Sequence, residues 1–235
     1  RKNMKKAMNQ SRLISILNGI SIGALVLMML LLFAYAKTNG QLSVDSENRF
    51  NLTYNANRFM NGSAYLTNEV RAYAATGEQS HYDNYWNEIN NLKNRDQGVA
   101  AMQEIGITKE EQAMIDQMSS ISNNLVPLEE QAMENVQAGQ LQEALNYVYG
   151  PDYTSAITEI NALKEQFLSA LDSRTMADIQ ELNVRLAVIQ ILIYLVVVLV
   201  AIIQFFIMTT VRKRILSPVI HVRDQMGEIS RGNLS

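Results

Sequence analysis

Four separated stretches of this sequence carry side chains able to hold a small ligand: Arg71 with Tyr73; Tyr82, Tyr85 and Trp86; Tyr147 and Tyr149; Tyr153 and Thr154. An aromatic face attracts a cation, and a guanidinium binds a carboxylate through two parallel N–H bonds. Several aromatics around one convergent cation therefore suit a small carboxylate or an amino-acid-like ligand. Arg58 is a second candidate cation. The same tyrosines would also serve to cap a helical core, because aromatics on a helical stripe usually pack inward.

Other chemistry has little to work with. The 235 residues contain no cysteine, which removes thiolate nucleophiles and Cys-based metal sites. The two histidines, His81 and His221, stand in no metal-binding spacing, and no phosphate-binding glycine loop or nucleophile elbow occurs. Glu110-Glu111 and Glu129-Glu130 read as solvated helix faces rather than paired catalytic carboxylates. We expect no enzymatic activity, no cofactor and no metal in this segment. The acidic middle of the chain makes nucleic acid an unsuitable partner.

The elements that position these residues follow from hydropathy. Residues 13–36 and 186–211 form uncharged runs of 24 and 26 residues, bounded by Arg12 and Lys37 and by Arg185 and Arg212. About 20 apolar residues span a bilayer as a helix, and lipid forces the backbone to pair within that helix. A cleaved signal peptide has an apolar core of only ~7–15 residues, so the first run reads as a retained anchor. Residues 1–12 hold five Lys/Arg and no acid, and 212–235 hold five against two acids. Residues 40–184 hold 21 Asp/Glu against 8 Lys/Arg, a net of −13. The positive-inside rule then places residues 1–12 and 212–235 in the cytoplasm, and residues 37–185 outside. Ser15, Gly19 and Gly23 line up as small residues on the first run, a pattern that lets two membrane helices approach, and so a candidate dimer contact.

The outer segment reads as all-α, an up-down bundle of four helices. Apolar positions step by three and four along Leu52, Ala56, Phe59, Ser63, Leu66, Val70 and Tyr73. Second, third and fourth stripes run through Tyr82, Tyr85, Ile89 and Leu92; Met114, Met118, Ile121, Leu125, Leu128 and Ala132; and Tyr153, Ile157, Ile160, Leu163, Phe167 and Leu171. Thr76-Gly77 ends the first helix, Thr108-x-x-Glu111 starts the third as a capping box, and Gly139 interrupts it. Pro127 should bend that helix, and Gly150-Pro151 begins the fourth. Up-down folding brings the Arg71 and tyrosine stretches to one end. No turn signal separates the first and fourth helices from the apolar runs, so each is expected to be continuous with its span.

After the second run, Pro218, Val219, Val222, Met226 and Ile229 form an amphipathic stripe closed by Gly232-Asn233-Leu234. This resembles the first helix of a HAMP signalling linker, whose second helix would lie beyond Ser235. Val70-Arg71-Ala72-Tyr73, Thr76-Gly77-Glu78 and the tyrosines after it look like a turn of four-helix-bundle sensor modules, as does Ala138-Gly139-Gln140-Leu141-Gln142-Glu143-Ala144. With the two runs and the linker, the chain resembles the N-terminal half of a bacterial methyl-accepting chemotaxis protein. The resemblance implies a homodimer in the bacterial cell membrane and an external ligand, bound directly or on a carrier protein. It also implies a coupling protein and a histidine kinase as partners of the full-length form, and ligand contacts from the first helix and the start of the fourth, where Arg71, Tyr153 and Thr154 stand. Sensor histidine kinases and nucleotide cyclases share this input architecture and are the alternative.

The charge partition predicts the outcome of labelling intact cells with an impermeant reagent. A cysteine placed near position 120 should react, and one near position 5 should not; the opposite result would overturn the topology.

Overall fold

The computed structural model describes residues 2–213 together with Arg223 and Met226, with side chains from Arg12 onward. Among the described residues every element is helical. In chain order they are α1 (Lys2–Thr76), α2 (Gln79–Asn87), a π-helical turn (Glu88–Leu92), α3 (Asn94–Ile105), α4 (Lys109–Gln137), α5 (Leu141–Val148) and α6 (Pro151–Val211). Contacts divide the described residues into two compact units, residues 42–181 and residues 2–41 with those from 182 onward. Both α1 and α6 run without interruption through residues of both units.

Local chemistry explains the breaks. Gly77 has φ +70° and its amide bonds the Tyr73 carbonyl, so α1 ends in a left-handed cap. Gly139 at φ +78° separates α4 from α5, and Pro151 opens α6. At the start of α4 the Glu111 amide donates to Thr108 Oγ1 at 3.1 Å, and the Thr108 amide donates to Glu111 Oε2 at 2.9 Å, which completes the capping box. The second leg differs from the sequence expectation. It breaks at Lys93, whose backbone is left-handed at φ 49° and whose amide bonds Glu88 O, before α3 resumes. Helix α4 continues through Pro127.

Two core clusters fill residues 42–181. One joins Leu66, Val70 and Tyr73 of α1 to Tyr85, Leu125, Ala132, Met133, Val148, Tyr153 and Ile160. The other joins Leu52, Ala56 and Phe59 to Met102, Ile115, Met118, Leu163, Phe167 and Leu171. Each draws on four legs, namely α1, α2 or α3, α4 with or without α5, and α6. Three assignments from the sequence need correction. Leu92 is 47% exposed because the turn at Lys93 carries it off the stripe. Glu111 and Glu129 are buried, not solvated. Glu111 accepts a two-pronged contact from Arg174 of α6, Nε to Oε1 at 2.9 Å and Nη2 to Oε2 at 3.0 Å.

In the other unit, two helices are long and apolar enough to cross a membrane. Their large side chains face outward: Phe33 is 72% exposed and Phe205 67%. In water such a surface would aggregate, whereas lipid tails accommodate it. Gln204 Nε2 donates to Ser21 Oγ at 2.9 Å, a polar contact between the two apolar helices. A Cβ placed on Gly19 or Gly23 would meet nothing within 4 Å, and Ser15 is exposed. Pro218, Val219, Val222, Ile229 and Gly232 lie outside the described residues, and Met226 is exposed.

Two substitutions test the packing. Phe167 is fully buried, so Phe167→Ala should cost about 3–5 kcal/mol. Gly98→Ala should also destabilise, because its Cβ would fall 2.7 Å from Asn55 O of α1. Thermal unfolding in detergent micelles reads both as lowered midpoints.

Candidate functional site

Arg71 lies on the last turns of α1, one of the helices that form the first core cluster. Its Nε donates to the Val148 carbonyl at 3.0 Å, at the end of α5. Its guanidinium carbon stands 4.6 Å from the centre of the Tyr149 ring and 5.3 Å from that of Tyr153. The loop Tyr149-Gly150 thus delivers one ring from each side of the α5–α6 junction to a single cation. Thr154 is nearby in sequence but exposed, and its hydroxyl donates to the Tyr149 carbonyl at 3.3 Å.

The remaining aromatics form a separate chain. Tyr73 and Tyr82 have ring centres 5.5 Å apart, Tyr82 and Trp86 6.2 Å, and Tyr85 and Trp86 5.4 Å. Tyr147 packs against the same core. The Trp86 indole N–H is buried without a hydrogen-bond partner. His81 Nδ1 meets Glu69 Oε2 at 2.7 Å, tying α2 to α1. Arg58 does not join this group. Its Nε donates to Asn94 Oδ1 at 2.8 Å and a second nitrogen donates to Gln97 Oε1. It borders a shallow groove of about 620 Å³ near Tyr54 and Tyr65. That groove is larger than the next feature, but its cation is committed to α3.

A cleft of about 190 Å³ opens between α1 and α6. Ser63, Thr67, Asn68 and Arg71 line it from α1, and Asn161 and Lys164 from α6, over a floor of Phe59, Met60, Met118 and Ile160. Two cations, four neutral polar side chains and no Asp or Glu surround it. That set can neutralise and hydrogen-bond an anion of a few heavy atoms. Of the ligand-site candidates named from sequence, only Arg71 reaches this cleft. Lys164, Asn161, Asn68 and Thr67 escaped notice because polar residues on exposed helix faces are ordinary, and Ser63 was read only as a member of the first apolar stripe. Only the pairing of α1 with α6 makes them neighbours.

Glu129 is the other residue the sequence hid. It is 5% exposed, and each carboxylate oxygen accepts one phenol: Tyr85 Oη donates to Oε2 and Tyr153 Oη to Oε1, both at 2.6 Å. Burial first, and then the Glu129 charge, push both phenols well above the ordinary tyrosine range. For Tyr153 this is partly opposed by a hydrogen bond with Thr67 and by the Arg71 charge. The signal available in sequence was register. Glu111, Ile115, Met118, Leu125, Glu129, Ala132 and Val136 follow one another at steps of four, three or a whole heptad of seven, which carries a carboxylate through the apolar stripe.

Comparison with family models, curated proteins and solved structures finds no match to this chain.

Tyr85 and Tyr153 keep their protons in the fold when the unfolded chain would lose them. Their raised pKa values contribute stability that is intact below pH ~10 and is lost as pH rises beyond it, at up to ~1.4 kcal/mol per pH unit for each phenol. Alkaline unfolding followed by circular dichroism should therefore begin near pH 10, and Tyr85→Phe should make the decline shallower.

Proposed function

We propose that this chain is the input half of a bacterial transmembrane chemoreceptor. Residues 37–185 sense a small external anion such as an organic acid, or an amino-acid-like ligand bound through its carboxylate. The observation that carries this reading is the Arg71 cleft. A guanidinium and Lys164 face an acid-free space between α1 and α6, the two helices that continue unbroken into the apolar segments. A ligand bridging α1 and α6 stabilises whichever relative placement of the two fits it better, and shifts the balance only by its difference in affinity between placements. Interface helices in known switches move by ~1–2 Å, and a continuous helix carries such a shift where a flexible linker would dissipate it.

The remaining parts follow from the same reading. The apolar helices cross the membrane with both ends cytoplasmic. The open face of Ser15, Gly19 and Gly23 receives the same face of a second copy, giving a homodimer. The linker after residue 212 passes the displacement to a cytoplasmic signalling region, which in the full-length form controls a histidine kinase through a coupling protein.

A thermal-shift panel of small carboxylates, amines and aromatic metabolites tests the reading on the detergent-solubilised chain. At least one carboxylate should raise the melting temperature. Arg71→Ala should weaken its binding about 10-fold or more, the loss expected for one charge-assisted contact. Disulfide cross-linking along 186–211 should change with that ligand. A flat panel, or an Arg71→Ala variant that binds as before, would remove the direct-sensor reading.

A further inference from the structure

We propose that Glu129, which lines no part of the cleft, is its positioning residue: the buried carboxylate holds Tyr153 against Arg71 and ties that arrangement to α2 through Tyr85. The inference rests on the cleft being the ligand site, but its test needs no ligand.

Tyr153 is fully buried, and its ring has contacts at both ends. The phenol oxygen donates to Glu129 Oε1, while the ring face lies 5.3 Å from the Arg71 guanidinium carbon. Fixing the oxygen fixes the ring, because a tyrosine has only two side-chain torsions. The other oxygen of Glu129 accepts Tyr85 of α2. One carboxylate on α4 therefore joins α2 and α6, and one cleft residue of α1, Arg71, rests on the tyrosine it holds.

A buried carboxylate needs donors, and charge-assisted O–H bonds are among the strongest a protein makes. Leucine or methionine at this position would fill the core without that demand. The carboxylate instead admits few arrangements of Tyr153, those in which its phenol points at Oε1. A ligand that draws on Arg71 must move Tyr153 with it or leave it behind. Either change is felt at Glu129, and through it at Tyr85.

Phenylglyoxal, which modifies accessible guanidinium groups, reads the position of Arg71 directly in the full chain, with the modified peptide quantified by mass spectrometry. Tyr153→Phe keeps the ring and deletes its hydrogen bond; Glu129→Leu deletes the acceptor. Each should raise the rate of Arg71 modification about 10-fold, the change in open population that follows loss of one hydrogen bond to a charged group. Leu125→Ala, in the same core cluster but without polar contacts, should lower the melting temperature and change the rate by less than about 2-fold. An unchanged rate in Tyr153→Phe overturns the proposal even if Glu129→Leu fails to fold. A rate raised as much by Leu125→Ala also overturns it, because general loosening would then be the cause. A flat metabolite panel would count against the receptor reading and leave the Arg71 labelling result standing.

Discussion

A carboxylate in a dry core must find donors, and Glu129 finds two phenols on two different helices. That requirement organises the end of the molecule that carries Arg71. Tyr85 must come from α2 and Tyr153 from the first turn of α6, and both must aim at the same point on α4. Once Tyr153 is so placed, its ring offers a face to Arg71, and the adjoining Tyr149 offers another. The cation is thereby held by aromatic faces and the Val148 carbonyl rather than by an acid, which leaves its charge available to an anion.

A second buried acid plays a different part. Glu111 closes the first turn of α4 and at the same time receives Arg174 of α6. Local chain direction and long-range packing are satisfied by one side chain, so the start of α4 is held in place at the opposite end of that helix from Glu129. The Arg49–Asp172 pair, 2.7 Å apart and more exposed, adds a weaker tie between α1 and α6. Gly98 permits a close backbone approach between α3 and α1, where any side chain would strike the Asn55 carbonyl.

The helical character of the chain was legible in advance. Stripes such as Leu52–Tyr73 and Tyr153–Leu171 report their buried face through the three-four spacing alone. The caps at Gly77, Thr108 and Pro151 were legible because they rest on neighbours in sequence: a glycine free to adopt positive φ, a hydroxyl within reach of the third amide, a proline with no N–H to lose. The break at Lys93 was not, since nothing in that residue type favours a left-handed backbone. It is set by closure of the chain onto Glu88 and by the packing of α3 against α1.

By itself the sequence determined a helical fold, two helices apolar enough for lipid, and which aromatic and cationic side chains are on offer, because these depend on periodicity, composition and local capping. Tertiary structure decided which of those residues meet. It sent Arg58 to α3 and Arg71 to the α1–α6 cleft, and it turned two glutamates inward. The reason is distance along the chain: the partners of Glu129 lie 44 and 24 residues away and that of Glu111 lies 63 away. A carboxylate's burial becomes acceptable only when such partners converge in space.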